Sequence, residues 1–288
     1  MNGPFHHGEL AAQRLAGVVA NGGAIRGFMP DQHREFFAAL PFMLAASVGQ
    51  DGAVHAQVLH GAPGFVRTPS ETLLEIDTPA RFAPGTRLGL LGIDLSNRRR
   101  NRVNGVVRSS APGKLVLEVR ESFGNCPRHI TLRDLVPGAP AQAPDAVAPF
   151  DGLPDDARPG RSCGYLLHCH RRMARAWRRH LAPGRPRAAS CGSTAPPWKC
   201  PTIPATATSN TLGNLVLEPR AALLFIDFAS GDVLELQGRV AIDWQRDGEA
   251  VERRWRFQCE RGSLARAAPA AALDRTLSLP NRVALACV

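Results

Sequence analysis

Leu90-Leu91-Gly92-Ile93-Asp94-Leu95 and Leu223-Leu224-Phe225-Ile226-Asp227-Phe228 are nearly the same phrase, written twice at an offset of 133 positions. The same offset carries Gly105 onto Gly238 without a gap and matches Asn104 to Gln237. Short, mostly apolar runs of Leu, Ile and Phe bounded by turn residues read as buried strands. A repeat that keeps its turn residues in register predicts two similar β units. Two such units packed side by side create a long cleft between them, a common kind of ligand site.

Strand signals extend outward from this pair. Phe42–Val48 and Ala53–Leu59 flank Asp51-Gly52, a strong hairpin turn. Leu73–Ile76, Leu88–Leu95, Val103–Arg108 and Lys114–Val119 continue the pattern, and Ala222–Phe228, Val233–Ile242 and Val251–Gln258 repeat it later. Leu10 to Val19 suits a short amphipathic helix. A second is expected from Asp31, an N-cap after Pro30, through Phe36, Phe37 and Leu40. Pro137 to Pro149 reads as a Pro-rich linker. The expected class is mainly β with short helices (α+β). The expected divisions are a helical segment at 1–30, a first unit at 31–145, a second at 146–262, and a patternless tail at 263–288.

The net charge of +10 invites a nucleic-acid reading, so its location matters. Residues 161–209 hold nine basic residues and no acidic ones; without them the chain has 26 basic against 25 acidic. One segment therefore makes an almost neutral protein look basic. Four of the seven cysteines (Cys163, Cys169, Cys191, Cys200) lie in the same segment. An odd cysteine count argues against a disulfide framework. His6, His7 and Glu9 stand where a secretory leader would be basic and then apolar, so a cytoplasmic location is expected. No apolar run nears the roughly 20 residues that span a bilayer.

Three stretches carry a family resemblance: Phe28 to Phe37; Leu90 to Gly105 with Phe123-Gly124-Asn125-Cys126-Pro127; and Asn210-Thr211-Leu212-Gly213-Asn214-Leu215 running on to Phe228. Together they resemble the flavin-nucleotide-binding, tandem-barrel branch of the pyridoxamine 5'-phosphate oxidase-like family. The resemblance covers about residues 5–160 and 210–262. It implies two split β-barrel units packed side by side, with FMN at their interface. It also implies that Asn210, Thr211 and Asn214 lie near the flavin, and that Arg98, Arg100, Asn101 and Asn104 line the cleft from the first unit. The competing readings are a capped helix for the first set and a solvated basic edge strand for the second. Cys126 reads more readily as a buried structural thiol than as a flavin neighbour.

Residues 161–209 break every local pattern. Cys163 to His170 with Cys191 and Cys200 suggests zinc, yet the spacing matches no standard finger. Reading permitted codons one base later turns residues 163–170 into ADTFFIAT, and residues 177–185 into GGVISHRGG. A two-base shift from Ala189 permits FVRVDGTALEVPDYPGNRYF, which runs directly into Asn210. These strings restore strand alternation and turn chemistry. The segment is therefore expected to be frame-shifted, and the tail past Gly262 to be shifted or disordered. SHRGG is where the resemblance places a phosphate-binding Ser and Arg, so FMN binding is expected to be impaired.

The leading functional expectation is an FMN-dependent oxidoreductase; the alternative is a non-catalytic flavin or haem carrier or sensor on the same barrel. Expected partners are a flavin nucleotide and a second copy of the chain as a homodimer, with neither nucleic acid nor membrane. His33, His55 and His60 read as structural or surface histidines. No GxGxxG opens a βαβ unit and no GxxxxGK[ST] is present, so Rossmann and P-loop readings lack support.

Overall fold

The computed structural model describes residues 5–18, 25–125, 130, 132–133, 146–151, 166–170, 198–201, 210–226, 232–247 and 250–266. Two helices come first, α1 (His7–Leu15) and α2 (Asp31–Ala39). Seven strands follow: β1 (Phe42–Val48), β2 (Val54–His60), β3 (Val66–Ser70), β4 (Leu73–Asp77), β5 (Arg87–Asp94), β6 (Arg99–Ala111) and β7 (Lys114–Gly124). They pair antiparallel in the order β2-β1-β5-β6-β7-β4-β3. The second sheet uses β8 (Ala146–Asp151), β9 (Leu166–His170), β10 (Trp198–Pro201), β11 (Arg220–Ile226), β12 (Val233–Asp247) and β13 (Ala250–Arg266). Its order is β10-β13-β12-β11-β9, with β8 also on β13; α3 (Asn210–Leu217) precedes β11.

The expected mainly-β class is what the chain adopts. Among the described residues neither sheet closes on itself, so the expected barrels appear as two open sheets. The first is nevertheless wrapped around one core: all seven of its strands contribute to a single cluster with Phe36, Phe37 and Leu40 from α2 and its C-terminal end.

Alternation along three strands explains how the sheets meet. Successive strand side chains face opposite ways. Met43 and Ala45 of β1 and Leu88 and Leu90 of β5 face that inner core. Phe42, Leu44, Leu91 and Ile93 face outward, into a second cluster shared with Ala222, Leu224 and Ile226 of β11. The opposite face of β11, Leu223 and Phe225, joins Leu236, Trp255 and Phe257 in a third cluster. β1, β5 and β11 are buried on both faces, which is why they read as continuous apolar runs.

The sequence repeat is repeated in the hydrogen-bonded registers. Leu88 pairs with Gly105 and Leu91 with Arg102; 133 positions later Ala221 pairs with Gly238 and Leu224 with Glu235. A β-bulge interrupts β6–β7 at Asn104/Gly105, and another interrupts β12–β13 at Gln237/Gly238. Both bulges need glycine. A Cβ on Gly105 would collide with the Glu118 carbonyl oxygen, and one on Gly238 with that of Gln258. The flanking strands repeat as well. β9 lies on β11 as β1 lies on β5, Ala45 corresponding to His168. β10 lies on β13 as β4 lies on β7, Leu74 corresponding to Trp198. The isolated Arg26–Ser122 bridge corresponds to the Phe150–Gly262 pair of β8.

Several local expectations need correction. α1 starts at His7 and ends at Leu15, because His6 and Glu9 form a capping box ahead of the apolar stripe. Pro30 occupies the cap position of α2, and Asp31, its first residue, accepts instead from Arg34 Nη1 at 3.0 Å. β8 begins inside the Pro-rich stretch read as a linker. β3 contains Pro69, which a strand tolerates at the sheet edge where β3 lies. β9 and β10 occupy the segment that shows no strand alternation. β13 continues to Arg266, past the Gly262 limit. Cys126 and residues 267–288 lie outside the described residues. None of the described helices is long and apolar enough to cross a membrane.

Candidate functional site

The turn between β5 and β6 is rigidly built. The Asp94 carboxylate accepts from Ser96 N (3.0 Å), Ser96 Oγ (2.7 Å) and Asn97 Nδ2 (2.6 Å), and Asn97 Oδ1 accepts from Arg99 N (2.8 Å). This holds Arg98 at φ +64, a left-handed conformation that costs a non-glycine residue about 1–2 kcal/mol. Arg99 turns outward, donates to Gln32 O at 2.7 Å and stacks 5.0 Å from the Phe36 ring centroid, which ties the turn to α2.

Beyond the turn, alternation sorts the expected residues. Arg100, Arg102 and Asn104 pair with Ile93, Leu91 and Gly89 across β5, so they share the face on which the two units meet. They are buried: Arg100 is 4% exposed, and Arg102 and Asn104 are each 1%. The Arg102 guanidinium lies 5.7 Å from the Phe123 ring centroid, and Asn104 Nδ2 donates to Glu121 Oε2 at 2.9 Å. Asn101 points to the other face, between Gly92 and Gly124, neither of which carries a side chain. Charged groups are seldom buried without a compensating partner. Here Arg98 Nε, Asn101 Nδ2, Asn104 Oδ1 and Asn125 Oδ1 are enclosed with no hydrogen-bond partner among the described residues.

The second expected set sits on α3, which packs on α1, β9 and β12. Asn210 opens the helix; Thr211 and Asn214, three apart, are both buried. The covering element is α1. His6 Nδ1 accepts from Gly8 N at 3.1 Å, so Nε2 carries the proton and donates to Asn214 Oδ1 at 2.7 Å. That orients the Asn214 amide and leaves its Nδ2, with Thr211 Oγ1, buried and unpartnered among the described residues. Glu9, fully buried, accepts from His6 N at 3.0 Å. The helices touch at Gly8 and Gly213: a Cβ on Gly213 would lie 2.6 Å from Glu9 N. The structure thus gathers the seven expected residues into two groups on different elements, β6 with its turn and α3.

Residues missed from sequence include His6, which bonds Asn214 of α3, and the buried Glu9, whose backbone lies against Gly213, both some two hundred positions away. They also include a polar network across the unit boundary. Glu235 Oε1 accepts from Ala56 N of β2 at 2.7 Å, Gln237 Nε2 lies 3.0 Å from His55 Nδ1, and Arg261 bridges Gln237 Oε1 (2.7 Å) and Asp51 Oδ2 (2.9 Å). Of the remaining histidines, His33 bonds Ser122 Oγ at 2.6 Å and His60 is exposed. Burial, then the nearby positive charges of Arg99 and Arg26, hold the His33 pKa below its ordinary value. A surface groove lined by Gly27, Ser70, Thr72, Arg108, Glu118 and Arg120 shares none of these residues, and its Arg120 is ion-paired with Glu118. Among the described residues no group of three or more His, Cys, Asp or Glu could hold a metal.

No family model matches the chain, and neither does any curated protein. Two solved structures align over most of it. The K. pneumonia MrkH apo structure is 11% identical with a TM-score of 0.24, covering 83% of this chain and 88% of that one. The K. pneumonia MrkH–c-di-GMP complex is 8% identical with a TM-score of 0.22, covering 77% and 78%. Likeness at these TM-scores carries no argument about fold or ligand.

Proposed function

We propose that this chain is a flavin-nucleotide-binding protein of the pyridoxamine 5'-phosphate oxidase-like type, built from two split-barrel units, whose grip on FMN is weakened in residues 161–209. The observation that carries the reading is the Arg100–Arg102–Asn104 face. Two guanidiniums and an amide lie buried on the sheet face whose β1 and β5 residues meet the second unit, beside Arg98 and next to enclosed donors and acceptors without a partner among the described residues. Such a set suits a phosphorylated ligand: guanidiniums match phosphate oxygens, and amides match the edge of a planar heterocycle. Thr211 and Asn214 add a second group of buried polar atoms of the same kind. Bound flavin would supply the hydride or electron chemistry; the residues named here hold and orient it.

The repeat supports the frame-shift reading. β9 and β10 occupy the positions of β1 and β4, where the first unit reads Met43-Leu44-Ala45-Ala46-Ser47 and Leu74-Glu75-Ile76-Asp77. The residues written there, Leu166 to His170 and Trp198 to Pro201, lack that pattern, whereas the shifted readings FFIAT and ALEVP restore it. The loss of a phosphate-binding Arg in SHRGG costs about 1.5–3 kcal/mol, roughly ten- to a hundred-fold in affinity.

The test is an FMN titration of the purified chain, followed by quenching of flavin fluorescence. The expected result is weak, saturable binding that tightens roughly ten- to a hundred-fold in a chain expressed with the frames restored. Protein that purifies stoichiometrically yellow as written would overturn the impairment. A restored chain that binds no flavin would overturn the function. Coding DNA without one-base insertions or deletions relative to a close relative would remove the frame-shift account. Reduction of bound flavin by NADH or NADPH separates an oxidoreductase from a carrier.

A further inference from the structure

A duplicated fold offers each ligand-binding face twice. The registers identify the counterparts: Arg100, Arg102 and Asn104 of β6 correspond to Val233, Glu235 and Gln237 of β12, and Glu121 of β7 corresponds to Arg261 of β13. The bulge lies at the same place in both, so equivalent side chains leave equivalent backbones in the same direction. The charge on the two faces differs: with Glu121 the β6 face carries two arginines to one carboxylate, and with Arg261 the β12 face carries one of each. The β6 face carries two buried arginines; at the position of Arg102 the β12 face carries a carboxylate, and at the position of Arg100 it carries valine.

The two faces also differ in how their polar atoms are matched. On the β12 face, Glu235 Oε1 accepts the Ala56 N–H of edge strand β2, and Oε2 lies 3.5 Å from Ser263 Oγ. Gln237 uses both ends of its amide, Oε1 toward Arg261 and Nε2 toward His55. Because Arg261 Nε donates to Oε1, Nε2 must donate to His55 Nδ1, which is therefore unprotonated. Arg261 completes the chain at Asp51. On the β6 face, Asn104 Oδ1 is enclosed without a partner among the described residues, as are Arg98 Nε and Asn125 Oδ1 at its end.

We propose that the chain binds one anionic nucleotide, on the β6 face, and that the equivalent β12 face is a closed structural joint between the units. This rests on the flavin-nucleotide reading for the ligand's identity, while the asymmetry itself concerns phosphate chemistry. The substitution of Arg102 by Glu235 in the repeat sets the difference: it removes a cation that would match phosphate oxygens and caps the backbone N–H of a sheet edge that would otherwise be open.

The full chain and three variants, Arg102→Glu, Glu235→Gln and Gln237→Ala, are titrated with FMN. In parallel, their thermal midpoints are measured with and without inorganic pyrophosphate. The expected result is one FMN per chain, at least about tenfold weaker in Arg102→Glu and within about twofold of the parent in the other two. Pyrophosphate should raise the midpoint of all but Arg102→Glu. Glu235→Gln and Gln237→Ala should instead lower the urea midpoint, because they open the joint. Two FMN per chain, or binding that survives Arg102→Glu and is lost in Glu235→Gln, overturns the asymmetry while leaving the flavin reading intact. No FMN binding, with pyrophosphate stabilisation lost only in Arg102→Glu, overturns the flavin reading and keeps the asymmetry. Pyrophosphate without effect on the parent overturns both.

Discussion

Truncating Leu91 to alanine tests whether the two units share one core. Leu91 is fully buried, and its side chain lies in the cluster that joins β1 and β5 to Ala222, Leu224 and Ile226 of β11. The change removes three carbons, worth about 2.4 kcal/mol at ~0.8 kcal/mol each. Closely packed strands on both sides resist collapse, so a residual cavity raises the cost to about 3–4 kcal/mol. With a urea dependence of roughly 3 kcal/mol/M for a chain of this size, the midpoint falls by on the order of 1 M. The chain provides its own probe: all four tryptophans, Trp177, Trp198, Trp244 and Trp255, lie in its second half. If the cluster couples the units, Leu91→Ala shifts the tryptophan-detected and far-UV dichroism transitions together, although Leu91 belongs to the first unit. A tryptophan midpoint that stays in place while the dichroism midpoint moves would refute the shared core. Leu224→Ala should give a loss of similar size, and the double variant less than the sum, since both residues sit in one cluster.

Three further outcomes follow from named contacts. Because the folded-state pKa of His33 is lowered, the unfolded chain takes up the proton first as pH falls. Stability should therefore decline below the unfolded value of about 6.5, and His33→Asn should flatten the decline in thermal midpoint measured from pH 7.5 to 5. Gly213→Val should drive α1 off α3, because Glu9 backbone atoms occupy the space a side chain needs; hydrogen exchange would then show residues 7–15 losing protection while β1 and β5 keep theirs. Asp51→Asn should cost less than about 1 kcal/mol by urea unfolding, because the Asp51–Arg261 pair is half exposed on both sides and solvent screens it. A larger loss there would mean that the joint depends on this ion pair more than its exposure allows.

Much of the scaffold was legible locally. Phe42–Val48 was predicted with the bounds it adopts, because its apolar run ends where Asp51-Gly52 turns the chain. The repeated glycines were legible as a register mark, but that each sits at a bulge, where a Cβ would strike the carbonyl of the neighbouring strand, is visible only in the structure. β3 was missed because Pro69 argues against a strand unless its position at a sheet edge is known, and β9 and β10 because the residues written there carry no alternation. Of the candidate site, sequence grouped Arg98, Arg100, Asn101 and Asn104 but could not separate Asn101, which faces the opposite way from Arg100 and Asn104. It identified Asn210, Thr211 and Asn214 without the α1 residues that cover them.

Sequence alone determined most of the strands and the duplication, since each rests on periodicity within a few residues. Tertiary structure alone decided which face of the first sheet, and so of β6, lies on the side where β1 and β5 meet the second unit. An interior core and an interface core are both apolar, and a period of two says which side chains share a face without saying what covers it. It also decided that Arg102 and Glu235 are counterparts with different surroundings. That comparison depends on hydrogen-bond registers, and on neighbours such as Ala56 and His55 that lie about 180 positions from Glu235 and Gln237 along the chain.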